Sequence, residues 1–112
     1  MRQVFTDDVV IDTTAAGGAE ITGADDFMAF LQEAIGEVVT VHHCHTPEID
    51  VTSEATASGV WAMEDMLRWP DGTELHGYGH YHETYEKVDG QWRIKRSQLT
   101  RLRADFTSAA TP

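Results

Sequence analysis

Apolar residues recur along this chain with two periods, and the change of period divides it. Phe27, Phe30, Leu31, Ala34 and Ile35 fall on one side of a helical repeat, which predicts a helix stopped at Gly36. Thr22 or Asp25 would cap its start, and Asp25-Asp26 puts acid in the first turn, where the helix dipole favours it. On either side of the helix the period drops to two. Val9-Val10-Ile11-Asp12-Thr13 is a β-branched run and predicts a first strand, followed by a flexible loop over residues 14–19. Residues 38–46 predict a second strand, broken by Pro47. Residues 49–56 predict a third, ending in a turn or bulge at Ala57-Ser58-Gly59. Residues 60–69, 75–88 and 91 to about 103 are long alternating strands, joined by hairpin turns at Pro70-Asp71-Gly72 and Asp89-Gly90. The tail after Phe106 is small and polar and is expected to fray. Strand, helix, then four or five antiparallel strands in a meander predict an α+β fold, a curved antiparallel sheet packed on a helix. It would form a single domain over residues 1–106 with a short tail at 107–112.

Composition narrows the function. The chain has 112 residues, enough for one domain, and 41% are hydrophobic, enough for a core. Eight Lys+Arg against 19 Asp+Glu give a net charge of −11. That balance argues against nucleic acid, which needs a basic patch, and against anionic membranes. A neutral organic ligand or a cation fits better. No apolar run approaches the roughly 18 residues of a membrane span. The first residues lack a signal-peptide stretch, and the single cysteine, Cys44, cannot form an internal disulfide. A soluble cytoplasmic protein is the expectation.

All six histidines lie between positions 42 and 82, and strand alternation sorts them by face. His42 shares a face with Thr40 and Cys44, while His43 and His45 point the other way. Trp61, Met63, Asp65, Leu67 and Trp69 share one face, apolar apart from Asp65. An acid in an apolar stripe must pair, neutralise or sit in a cavity. Gly79, Tyr81, Glu83 and Tyr85 share one face and His80 and His82 the other. Alternation leaves His76 unplaced. Gly77-Tyr78-Gly79 reads as a bend in a curved sheet.

Several strings resemble the SnoaL-like family of the nuclear transport factor 2-like superfamily, in its scytalone dehydratase-like branch. They are Phe5-Thr6-Asp7-Asp8-Val9-Val10, His42-His43, Gly79-His80-Tyr81-His82-Glu83, and the hairpin from Tyr85 through Asp89-Gly90 to Ile94. The resemblance spans residues 4 to 106 and implies an α+β cone, a strongly bent sheet closed by helices. Members normally carry one or two helices before the segment matching Phe5, and in dehydratases that region supplies an Asp and often a Tyr. Only four residues precede Phe5 here. This implies a truncated start, or a protein that works without those groups and whose cone mouth is closed by another subunit or left wet.

The resemblance also implies that His42 matches the catalytic histidine of the dehydratases, and that Asp65 and Tyr81 match pocket-lining positions. The three would converge on a cavity with Trp61, Met63, Leu67 and Glu83 as ligand-binding residues. Neutral His42 would take and return a proton, Tyr81 would donate to a developing oxyanion, and Asp65 would orient His42 or act as an acid. That set supports a cofactor-free lyase or isomerase (dehydratase, double-bond isomerase or cyclase) acting on a small, mostly apolar carbonyl compound. A non-catalytic small-ligand module of the same fold is the alternative. A third reading is metal binding through the His-x-His pairs at His43/His45 and His80/His82. A Cys44–His42 nucleophilic pair is a fourth, without a third group to support it. The opposite face, with Val60, Ala62, Met66, His80 and His82, is too apolar and aromatic for a free surface. A homodimer or small homo-oligomer is expected there.

Overall fold

Two tight turns set the register of the main sheet. In the first, Trp69 and Thr73 close a loop in which Gly72 adopts φ 86°. In the second, Asp89 and Gly90 have φ of 51° and 78°, a turn whose twist matches that of paired strands. The computed structural model describes residues 1–108. Its strands are β1 (Phe5–Asp12), β2 (Glu20–Thr22), β3 (Val39–Val51), β4 (Thr56–Arg68), β5 (Glu74–Val88) and β6 (Gln91–Thr107), with one helix, α1 (Ala24–Ile35). The six strands form one curved sheet in the order β2-β1-β6-β5-β4-β3. β3 to β6 are the expected antiparallel meander. β1 adds to the edge of β6 in parallel, which makes the sheet mixed.

Several boundaries differ from the sequence expectation. Residues 38–56 do not form two strands broken at Pro47. β3 runs through that proline, with a register shift between His45 and Glu48 and Thr46 at φ 41°. β3 is the edge of the sheet, so a missing N–H and a bulge are both tolerated there. The turn lies at residues 52–55, where the Thr52 N–H donates to the Thr56 carbonyl and the Ala55 N–H to Ser53 Oγ. Ala57, Ser58 and Gly59 are therefore in β4, opposite Val51, Asp50 and Ile49. Neither Thr22 nor Asp25 caps the helix; Gly23 occupies that position at φ 101° without a side-chain bond. The loop after β1 is also ordered, because Asp12 Oδ1 accepts from both the N–H and the hydroxyl of Thr14 and folds residues 14–16 into a helical turn. β6 reaches Thr107, and the tail beyond residue 108 lies outside the described residues.

The apolar core sits at one end. Phe5, Val9, Ile11 and Ala24 are buried, with Phe27, Met28 and Ile94 packed on them. The Phe5 and Phe27 rings meet edge to face at 5.4 Å. α1 thus covers β1 and β2, while β3 is exposed along nearly all its length. Among the described residues no helix is long and apolar enough to cross a membrane.

β6 carries two bulges. Tyr85 pairs with Ile94 but Thr84 with Arg96, and Gly79 pairs with Arg101 but Tyr78 with Arg103. Lys95 and Leu102 are the extra residues. Each bulge rotates the following side chains to the opposite face. At the second bulge the backbone of β6 crowds Gly79, and a Cβ there would meet the Thr100 carbonyl oxygen and the Arg101 Cα. Backbone cannot swing aside as a long side chain can. Gly79→Ala is expected to destabilise the fold by about 1–3 kcal/mol, read as a lower urea midpoint at unchanged slope.

Candidate active site on the inner sheet face

Asp65, towards the C-terminal end of β4, is nearly inaccessible, its side chain 4% exposed. Its partner is Arg101 of β6, two strands away. The guanidinium grips the carboxylate with both arms, Nη1 to Oδ1 at 2.5 Å and Nη2 to Oδ2 at 3.0 Å. β5 lies between them, and the two positions it presents there are Gly77, opposite Asp65, and Gly79, opposite Arg101. A Cβ on Gly77 would strike both the Arg101 guanidinium and Asp65 Oδ1. The missing side chains are what allow the ion pair to bridge over the intervening strand.

His42 of β3 stands directly opposite Asp65 on the other side. Its Nε2 is 3.8 Å from Asp65 Oδ2, and its side chain is 40% exposed. The row His42–Asp65–Arg101 therefore crosses four strands, open to solvent at the histidine and buried at the acid. Cys44 follows on the same face, opposite Met63. Partial burial, then the charge of Glu83, pushes its thiol pKa up. That disfavours the thiolate and counts against the Cys44–His42 nucleophile reading.

Tyr81 of β5 shares this face, between Trp61 and Leu99. Burial, and next the Asp65 charge, push its phenol up to about 12. It is thus a protonated donor throughout the neutral range. Beyond it, Trp61 Nε1 donates to the Tyr85 hydroxyl at 2.8 Å, and that hydroxyl donates to Glu83 Oε1 at 2.9 Å. Burial likewise pushes Tyr85 up to about 12. Next to this relay is an open apolar cavity of about 400 Å³, walled by Ile49, Val51, Trp61, Tyr85, Trp92 and Ile94, with Glu83 its one charged group.

The expected residues are therefore distributed as follows. His42 and Asp65 are adjacent, and Tyr81 lies farther along the same face. Trp61 and Glu83 line the cavity, whereas Met63 is buried and Leu67 half-buried on that face, outside the lining. Arg101 and Tyr85 were not singled out by the sequence pattern. Uninterrupted pairing from Asp89-Gly90 would set Arg101 opposite Tyr78 on the outer face. The bulge at Lys95 shifts the register by one and brings it inward.

On the outer face, His43, His45, His80 and His82 lie where alternation places them, and His76 joins them. His76 Nε2 is 3.0 Å from Glu64 Oε2, and its ring stacks on Tyr78 at 4.7 Å.

A family profile for the SnoaL-like domain matches residues 1–98. The chain belongs to the SnoaL-like family. Its structural neighbours place this SnoaL-like domain in the nuclear transport factor 2-like superfamily. A candidate scytalone dehydratase from Novosphingobium aromaticivorans is 29% identical, with a TM-score of 0.81 over 99% of this chain and 73% of that one. A hexachlorocyclohexane dehydrochlorinase superposes with a TM-score of 0.84 over 99% of this chain and 77% of that one, at 13% identity, a likeness of fold alone. A probable cyclase of Gibberella zeae is 27% identical over 84 residues, 69% of this chain and 53% of the relative. The SnoaL-like chain thus spans about half the length of that curated relative.

Two predictions follow from the geometry. Arg101→Met strands the Asp65 carboxylate in a buried place and is expected to cost about 3–5 kcal/mol in urea unfolding, with Asp65→Asn in the same chain recovering part of the loss. The raised tyrosines give a pH dependence. An unfolded phenol ionises near 10.0, and Tyr81 and Tyr85 ionise at about 12 when folded, so the native state holds these protons more tightly. Stability from this source is complete below pH 10 and is lost as pH rises towards 12. Urea midpoints across that window should fall less steeply in Tyr81→Phe and Tyr85→Phe.

Proposed function

We propose that this SnoaL-like domain is a cofactor-independent lyase or isomerase acting on a small, mostly apolar carbonyl compound. The observation that carries the reading is the placement of a half-exposed histidine against a buried, charge-balanced carboxylate, on the face that also holds a protonated phenol. His42 accepts the acidic hydrogen next to the substrate carbonyl through the ring nitrogen that does not face Asp65. The imidazolium that forms is 3.8 Å from Asp65 Oδ2, which stabilises it. Arg101 holds the carboxylate in place through both oxygens, so Asp65 orients and balances charge rather than supplying the proton. Tyr81 donates to the oxygen on which the enolate charge gathers.

Two outcomes are open to the enolate. His42 returns the proton to a distant carbon, which moves the double bond. Alternatively it gives the proton to a departing β-hydroxyl, which leaves as water. The relatives described as a cyclase and a candidate scytalone dehydratase support this class of chemistry. The net charge of −11 favours an uncharged substrate over an anion. The apolar cavity beside Trp61 and Tyr85 would hold the substrate's carbon skeleton, and it would equally serve a module that binds without turnover.

Hydrogen exchange at the α-carbon of 2-tetralone in deuterated water, followed by proton NMR, separates the two. Wild-type protein should accelerate exchange over buffer. His42→Ala and Tyr81→Phe should each lower the acceleration about a hundredfold, as expected for loss of a general base and of an oxyanion donor. A wild-type protein that binds 2-tetralone without accelerating exchange, or a His42→Ala variant as fast as wild type, would overturn the enzymatic reading.

A further inference from the structure

The outer sheet face carries a second cluster that the proposed chemistry does not use. The geometry points to a metal site there, in which His43, His45 and Glu64 bind a borderline divalent transition metal such as Zn²⁺. One ligand atom from each of the three lies within 4.8 Å of the others.

Strand geometry explains the convergence. His43 and His45 are two residues apart on β3 and so project from one side. Register sets Glu64 directly opposite His43, and sets Ala62 opposite His45. Ala62 offers no ligand atom opposite His45. The two imidazoles do not stack. Their centroids are 6.1 Å apart with the planes inclined at 67°, so their nitrogens can face a common point. Glu64 is held ready by its own partners. One oxygen lies 3.6 Å from His43 Nδ1, and the other lies 3.0 Å from His76 Nε2. His76, stacked on Tyr78, would thus act as an outer support, orienting the carboxylate without touching the ion.

The donor set decides the class of metal. Two imidazoles and one carboxylate suit zinc, copper or nickel, whereas calcium and magnesium prefer oxygen alone. Metal–ligand bonds of about 2.0–2.2 Å require the three atoms to draw closer than they now stand. The side chains can do so, since His43 is 59% and Glu64 37% exposed. Three protein ligands leave a coordination position open to water. The acidic chain as a whole attracts cations. The site is separate from the inner face, because His42 points to the other side of the same strand.

The test uses untagged protein, stripped with chelator and dialysed, then titrated with zinc chloride by calorimetry. One saturable equivalent is expected. His43→Ala and His45→Ala should each weaken binding at least about tenfold, and Glu64→Gln about tenfold. His82→Ala, on the same face and engaged with Thr100, should leave it unchanged. Cobalt(II) should show visible ligand-field bands that zinc abolishes. All four positions are at the surface, and far-ultraviolet circular dichroism should confirm that the variants fold. Absence of saturable zinc binding would overturn the assignment. So would binding that survives in the His43→Ala/His45→Ala double variant, or a loss in His82→Ala equal to that in His43→Ala.

Discussion

The ion pair between Asp65 and Arg101 constrains everything around it. It joins two strands that do not touch, and it can do so only because β5 offers two glycines where side chains would otherwise stand. It also needs the bulge of β6 at Lys95, which turns Arg101 inward. Such a pair is an inefficient way to gain stability. Taking two charges out of water offsets most of their attraction, and apolar residues of the same volume would serve a core as well. The glycine-lined bridge fixes a charged carboxylate beside His42 at that cost. The apolar core that stabilises the domain lies elsewhere, under α1.

What could be read from the sequence follows from how each signal is encoded. The faces were legible. A strand has a period of two, so the separation of His42 from His43 and His45, and the grouping of Trp61 with Asp65, follow from counting alone. The hairpins at residues 70–72 and 89–90 were legible because each needs residues with special backbone freedom. Parallel pairing of β1 with β6 was not, since strands from opposite ends of a chain leave no turn between them to announce the contact. Pro47 gave a false break because sequence does not tell whether a strand is an edge. Arg101 escaped because its face depends on a bulge at Lys95, and Lys95 carries no glycine or proline to mark it.

β3 shows how much one edge strand can carry. Consecutive residues 42 and 43 send imidazoles to opposite sides of the sheet, one towards a buried carboxylate and one towards a half-buried glutamate. The surroundings differ more than the groups themselves. Asp65 is buried and matched by a guanidinium with good geometry, so its charge acts through a poorly screening medium. Glu64 is solvated and shared between two histidines, so its interactions are weaker and easily rearranged. The inner histidine thus faces a fixed, buried charge and the outer ones a carboxylate that rearranges readily.

The openness of the inner face bears on how chemistry could proceed there. An oxyanion donor is most effective where water is excluded, yet His42 is 40% exposed and α1 does not cover it. The cavity beside Trp61 and Tyr85 offers a way round this. Binding of an apolar skeleton against Trp61, Tyr85 and Trp92 would bury surface far from the reacting carbon, and that energy can hold the carbonyl against Tyr81 and His42. The substrate itself would then displace water from the imidazole as it docks. On this view selectivity resides in the apolar wall, and a small ketone that cannot fill the wall should react poorly even though every polar group it needs is in place. The division between an apolar wall and a short polar row rests on the glycine bridge, because the two missing side chains make room for the Asp65–Arg101 pair.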